Sequence, residues 1–370
     1  MNFLSEFKKI FKGGKEKSVV AIDLGISAVK VVQLRKDRGK AILETYGELS
    51  CGPYNELSIG QATNLSVGKY VQVLKDLFKE ANITAKMGAM AVPLRHSLIV
   101  SVELPEMEEA RLPEVIPIEA RKYVPVPISE VILDWWLVPR QQIDAAPPDA
   151  GALPVAAKME VLIASIHKET VQDYQEIAKQ LDLAVDAFEI ETFSSIRSVM
   201  PNDLSATAIL DIGAGSSKIA VVDYGIVRLS HTITKGSQDL TVAIAKSLSL
   251  PFAKAEEIKR QLGLVGHLDQ GNLTEIVSPL AEYIFAEAGK VMVKYQREHR
   301  RSIDKVILIG GGALLQGVLE LGRGVIGVPV VLGSPFDKVA APVFLNNVLK
   351  EAGPEFAVAI GLALRKLEDL

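Results

Sequence analysis

The chain has 370 residues, 48% hydrophobic and 23% charged, enough apolar material for two or three domains; this excludes a disordered or fibrous protein. Its formal net charge of −4 argues against a general nucleic-acid binder, so no nucleic-acid partner is expected. One cysteine, Cys51, excludes an internal disulfide framework and a Cys-rich zinc site and fits a cytosolic compartment.

At the start, Phe3, Leu4, Phe7, Ile10 and Phe11 recur at helical spacing, Lys8, Lys9 and Lys12 fill the other face, and Gly13-Gly14 ends the pattern. Residues 1–17 carry five Lys and two Glu, a net of +3. Such a basic amphipathic helix suits peripheral contact with an anionic membrane through residues 1–12; the alternative is packing on its own domain or on a partner. The segment lacks the uninterrupted apolar core of a signal peptide, and no apolar run approaches the ~18 residues needed to cross a bilayer.

The stretch from Ser18 to Leu49 then reads as strand, tight turn, strand, a turn at Asp37-Arg38-Gly39, and a third strand. A helix is predicted over Val67–Ala81, followed by a strand-like AVPLRHSLIVSVELP. A Pro-rich segment from Pro105 to Ile128 holds a short helix. Val131–Val138, with Trp135 and Trp136, is strand-like, and residues 139–154 read as a loop. MEVLIASIHK resumes strand character, and a helix runs from about Glu169 to Gln180. From residue 205 the strand, turn, strand, turn, strand order recurs, with its second turn at Asp223-Tyr224-Gly225. Helices dominate up to about Arg300. KVILIGGGALL is a buried strand entering a Gly-rich turn and a helix, and EFAVAIGLALRKLEDL is a final helix.

The two halves echo each other. Asp23, Gly25 and Lys30 match Asp211, Gly213 and Lys218, with the aspartates 188 residues apart. That distance indicates two related α/β domains rather than a solenoid. An apolar strand ending in Asp puts a carboxylate at the sheet edge. The Gly admits close approach of a phosphate, and the N–H groups and hydroxyls that follow can cradle its oxygens. Two such hairpins face to face would clamp one nucleotide, with Asp23 and Asp211 holding Mg²⁺ through water. Gly310-Gly311-Gly312-Ala313 is a third Gly-rich turn, where a flat base can pack on backbone; alone it is also an ordinary strand–helix connection. Neither a Walker A loop nor a Rossmann fingerprint is present.

This order of elements resembles the actin-like ATPase superfamily. Within it the chain is similar to the PilM family of type IV pilus assembly, through IDLGISAVKVVQL, through IEARKYVPVPISEVILDWWLV (residues 118–138), and through the ending AVAIGLALR, which leaves no room for a membrane helix of the FtsA kind. The resemblance implies an α/β, ribonuclease H-like two-lobed fold. Its first lobe would comprise 18–87 and 166–204, with an inserted 1C-type subdomain at 88–165. The second lobe would be 205–370, its final helix closing on the first. It implies ATP and Mg²⁺ as cofactors. Asp23, Gly25, Ser27 and Lys30 fall on the first phosphate motif, Asp211, Gly213, Gly215, Ser216 and Lys218 on the second, and Gly310, Gly311, Gly312 and Ala313 on the adenosine motif. AEEIKRQLG resembles the helix that touches the nucleoside, placing Glu256 and Lys259 there; i, i+3 spacing puts them on one face, as it would a surface ion pair. Glu191 best matches the water-positioning residue, with Glu189 as its rival. Ile26 departs from the family pattern, which has Ser there. The implied partners are the cytoplasmic tail of a PilN-like membrane protein and other inner-membrane platform proteins, with a homo-oligomer as a further option. The implied location is the inner face of the cytoplasmic membrane, and the activity slow hydrolysis at most. Two alternatives are an FtsA-like filament protein and a small-molecule kinase of the same superfamily with Asp186 or Glu191 as base. The five histidines lack metal-ligand spacing and read as structural or surface residues.

Deleting residues 1–14 is expected to abolish co-sedimentation with anionic liposomes; undiminished binding would assign this segment to a protein contact.

Overall fold

The computed structural model describes residues 18–139, 158–201, 204–268 and 271–370. The amphipathic segment at 1–17 and nearly all of the loop expected at 139–154 lie outside them.

The first lobe is built on a five-stranded sheet of order β3-β2-β1-β4-β8, formed by β1 (Ser18–Leu24), β2 (Ala28–Asp37), β3 (Lys40–Ser50), β4 (Met87–Val92) and β8 (Ala184–Ile190). The hairpins β1–β2 and β2–β3 are antiparallel, whereas β4 runs parallel to both β1 and β8. Val19, Val20, Ala21 and Ile22 of β1 are all fully buried, as a central strand covered on both faces requires. One face is covered by α1 (Val67–Glu80) and α3 (Lys168–Gln180), through Tyr70, Leu74, Tyr174 and Ile177.

The second lobe repeats this topology. β9 (Thr207–Ile212), β10 (Ser217–Asp223), β11 (Ile226–Ile233), β14 (Lys305–Ile309) and β15 (Val330–Leu332) form a sheet of order β11-β10-β9-β14-β15. The repeat extends to turn type. Arg38 and Gly39 in one hairpin, and Tyr224 and Gly225 in the other, all have φ between 47° and 79°, the two-residue geometry that matches strand twist. Helices α5 (Ser237–Ser247), α6 (Phe252–Leu262), α7 (Leu273–His299) and α8 (Val318–Ile326) supply the apolar layer on one face. A two-residue ladder, β12 (His267–Leu268) with β13 (Gly271–Asn272), precedes α7.

A third sheet, β5-β7-β6, is made of β5 (Ser97–Pro105), β6 (Val131–Leu137) and β7 (Lys158–His167). Helix α2 (Leu112–Ala120) packs on it through Leu112, Ile116 and Ala120. The strand-like run at 91–105 is therefore two strands in two sheets. Pro93 lacks the N–H that would continue a ladder, and a 3₁₀ turn at Leu94–His96 redirects the chain. β4, inside the insert as drawn at 88–165, thus belongs to the central sheet of the first lobe.

Between the two large sheets lie α4 (Glu191–Val199) and the final helix α10 (Ala357–Glu368), which follows α9 (Asn346–Ala352). Helix α10 covers the first sheet through Ala359, Ile360 and Leu362, while Ile196 and Val199 of α4 pack on Ile209 and Ile307 of the second. The helices cross at Gly361, where a Cβ would overlap the Ser194 carbonyl. Gly361→Ala should therefore cost about 3 kcal/mol in urea unfolding of the ligand-free protein. A change of under about 0.5 kcal/mol would show that this crossing can open.

Candidate functional site: a charged cleft between the lobes

The strands β1 and β9 end at Asp23 and Asp211, and both carboxylates face one cleft of about 250 Å³. Antiparallel register places Lys30 directly across from Asp23 and Lys218 directly across from Asp211. The seven-residue Asp-to-Lys interval is thus the hairpin's own pairing. Each turn needs glycine because backbone closes over it: a Cβ on Gly25 would lie 2.5 Å from the Ala28 oxygen, and one on Gly213 2.9 Å from the Ser216 oxygen. The turns also meet. A Cβ on Gly215 would lie 2.6 Å from Cδ1 of Ile26, so the Ile that replaces the family's Ser reaches the opposite hairpin.

Glu191, the first residue of α4, is 6% exposed and lines the same cleft. Its Oε1 accepts from the Leu94 N–H at 2.6 Å, and its Oε2 lies 3.2 Å from Lys218 Nζ, which is also 3.2 Å from Asp211 Oδ2. Glu189 instead forms a two-point pair with Arg197 at 2.7 Å, and Asp186 pairs with Lys366 at 2.6 Å; neither lines the cleft.

Glu256 and Lys259 are buried at the cleft wall and bond each other at 2.7 Å. Glu256 also accepts from Thr241 and Arg260. Gly310 and Gly311 line the cleft, Gly310 at φ +83° against the Asp211 carboxylate. Gly312 and Ala313 turn away: a Cβ on Gly312 would strike Ile212, and Ala313 belongs to the second lobe's core. Fourteen of the sixteen residues singled out from sequence therefore line one cavity: Asp23, Gly25, Ser27, Lys30, Glu191, Asp211, Gly213, Gly215, Ser216, Lys218, Glu256, Lys259, Gly310 and Gly311. Sequence reasoning missed Glu48, Arg95, Arg260 and Glu355, which also line it. One carried a usable signal, since Arg260 lies four residues after Glu256; Glu48 did not, because a register shift between Gln33 and Leu34 moves the partner of Lys30 one residue beyond the one the turn alone would set.

Charge sets the chemistry of this cleft. Burial raises Asp23 to about 6; Lys30 opposes the shift and Glu191 adds to it. Burial would lower Lys30 and Lys218, but the carboxylates around each, Glu48 and Glu355 for Lys30 and Asp211 and Glu191 for Lys218, hold both above the usual lysine value. Burial and the adjacent Glu48 carboxyl hold Glu355 up to about 7. Burial would raise Glu256, but Lys259, Thr241 and Arg260 outweigh it and keep it below the usual range. Buried thiol Cys51, pushed up to about 12 by burial, is unreactive and braces the first turn through its N–H to the Ser27 oxygen. Among the described residues no cluster of three or more His, Cys, Asp or Glu could hold a metal by itself.

Two sheets of one topology, joined by a shared helix pair around a cleft, define an actin-like protein, and the comparisons agree. A chain of the "PilM-PilN type IV pilus biogenesis complex" superposes with a TM-score of 0.77 at 24% identity, covering 94% of this chain and 98% of that one. MreB 5 of Spiroplasma citri bound to AMPPNP gives a TM-score of 0.51 at 12% identity over 95% and 97%. Cell division protein FtsA of Pseudomonas aeruginosa is 24% identical over 296 residues, 73% of this chain and 69% of that protein. The family model "Type IV pilus assembly protein PilM" matches residues 21–367, and the chain belongs to that family.

Asp23 gives a sign-definite pH test. Its native carboxyl holds a proton between its usual 3.8 and about 6, where the unfolded chain does not, so its contribution to stability falls as pH rises through that window. Asp23→Asn should stabilise the ligand-free protein at pH 8 by on the order of 1–2 kcal/mol in denaturant titration, with the gain vanishing near pH 4. A pH-independent difference would contradict the assignment.

Proposed function

We propose that this protein is an ATP-binding scaffold of type IV pilus assembly whose nucleotide state controls capture of the cytoplasmic tail of a PilN-like membrane protein. The observation that supports it best is the pair of equivalent Asp–Gly–Lys hairpins facing each other across one cleft. In this reading the backbone and hydroxyls of Gly25, Ser27, Gly213, Gly215 and Ser216 cradle the phosphates, and Lys30 and Lys218 balance their charge. Glu256 and Lys259 flank the nucleoside, and Gly310 and Gly311 offer flat backbone to the base. Asp23 and Asp211 orient the water shell of Mg²⁺, which when bound draws the phosphate oxygens together and offsets their charge. Both oxygens of Glu191 already have partners, Leu94 N–H and Lys218, so it is poorly free to orient an attacking water. Turnover is accordingly slow, and the nucleotide acts as a state marker.

The route to a partner starts at the same residue. Phe193, two residues after Glu191, meets Trp136 of the insert edge-on at 5.7 Å. Trp136 is 47% exposed and Ile132 46%, both on β6, an edge strand of the third sheet. An extended apolar tail fits such an edge by adding a strand and burying the aromatic side chain. Trp135 instead packs into the insert's own core. The PilN-like partner, the inner-membrane platform and a place at the inner face of the membrane follow from the family and belong to this proposal. No helix among the described residues is long and apolar enough to cross a membrane.

Fluorescence polarisation of a labelled PilN-like tail peptide tests both parts. Trp136→Ala should weaken binding about tenfold or more, and Mg-ATP should shift the wild-type affinity relative to Mg-ADP. Equal affinity in every nucleotide state would contradict the coupling.

A further inference from the structure

We propose that Arg95 is the residue by which this cleft distinguishes a nucleoside triphosphate from a diphosphate. The inference rests on the nucleotide reading above and assigns the terminal-phosphate end of that site.

Sheet order lays the cleft-facing residues Glu48, Lys30 and Asp23 in a row that continues through Ala91 and Glu189, which do not line the cleft. Glu48 on β3 is opposite Lys30 on β2, Lys30 is opposite Asp23 on β1, Asp23 aligns with Ala91 on β4, and Ala91 aligns with Glu189 on β8. Neighbouring strands lie about 4.8 Å apart, so the cleft-facing part of the row, Glu48 to Asp23, spans about 10 Å and sets the direction in which a bound chain runs. The second lobe fixes which end takes the nucleoside. A Cβ on Gly60, in the loop after β3, would lie 2.8 Å from Glu256 Oε1. Arg260 is in the field of Glu355 and Glu48, and a Cβ on Gly311 would lie 3.4 Å from Glu355 Oε1. The nucleoside-binding helix and the Gly-rich turn therefore meet the first lobe at its β3 end. A phosphate chain running from there past Asp23 ends at the β4–β8 end, where Arg95 and Glu191 line the cleft.

Arg95 has the charge state such a contact needs. Lys30 has Glu48, Lys218 has Asp211 and Glu191, and Lys259 and Arg260 share Glu256. Among the described residues no carboxylate pairs with Arg95 within 4.0 Å. Its Nε donates to Nε2 of His96 at 3.0 Å, a ring held below its usual pKa by burial, by Arg95 itself and by His167, hence neutral near pH 7. The guanidinium is exposed, retains donors for a phosphate, and matches phosphate geometry at two points. A diphosphate ends before this position, so Arg95 contributes only to triphosphate binding. Arg95 also follows Leu94, whose N–H is bound by Glu191, and precedes β5 by two residues, so a phosphate that engages it acts on the root of the insert.

Calorimetry with nucleotide-free full-length protein tests this, titrating Mg-ATP and Mg-ADP into wild type, Arg95→Ala and Arg95→Lys. Arg95→Ala should lose about tenfold or more in ATP affinity and stay within about twofold for ADP, as the loss of one charge-assisted contact predicts. Arg95→Lys should recover part of the loss by keeping the charge without the two-point geometry. An unchanged ATP-to-ADP ratio in Arg95→Ala, whether both affinities fall or neither does, overturns the assignment while leaving nucleotide binding intact. Failure of the wild type to bind either nucleotide overturns the nucleotide reading, and the role of Arg95 with it.

Discussion

The structure depends on placing like charges at the ends of two apolar strands that face each other. Asp23, Asp211 and Glu191 converge on one cleft, and three carboxylates so close are tolerated only because a lysine stands across from each aspartate in its own hairpin. Register alone delivers that pairing, so copying the hairpin copies the charge balance. The balance is incomplete at Asp23, whose burial outweighs the help of Lys30 and raises its carboxyl to about 6. That cost of burying a carboxylate is offset by the cores of the two lobes.

Glu191 joins this charge balance to the rest of the molecule. It begins the helix that packs on the second sheet, crosses the final helix at Gly361, and presents Phe193 to Trp136. The insert is also tied to the second lobe, where Arg228 of β11 pairs with Glu160 of β7 and Val227 packs with Ile99, Leu162 and Ile190. A shift of one lobe against the other must rearrange these contacts. Nucleotide biases the insert only to the extent that it binds the two arrangements with different affinity.

Much of this was legible in the sequence because it is local. Apolar runs ending in Asp-x-Gly marked both hairpins, and the repeat of Asp, Gly and Lys at equal spacing marked them as equivalent. What escaped depends on tertiary placement. The run at 91–105 looked like one strand, since Pro93 was its only internal punctuation and the change of sheet leaves no mark in composition. Arg95, a lone cation in that run, gained meaning only when the fold placed it on the wall of the same cleft as Asp23. Glu256 and Lys259 came from the resemblance of AEEIKRQLG to the nucleoside-touching helix, with which helical spacing agrees, but the hydroxyl that completes their burial, Thr241, comes from a different helix. Gly312 and Ala313 followed the motif, yet a 3₁₀ turn at Gly311–Leu314 rotates them into the core. Glu191 was separable from Glu189 only in three dimensions, where Arg197 claims one and the cleft receives the other.

The central claim is that two hairpins clamp one nucleotide, and the most direct measurement is calorimetric titration of Mg-ATP into nucleotide-free wild type, Asp23→Ala and Asp211→Ala. The account predicts micromolar binding by the wild type and its loss in both variants, because each aspartate holds one side of the same cation and phosphate chain. Binding that survives either substitution, or no binding by the wild type, would contradict it.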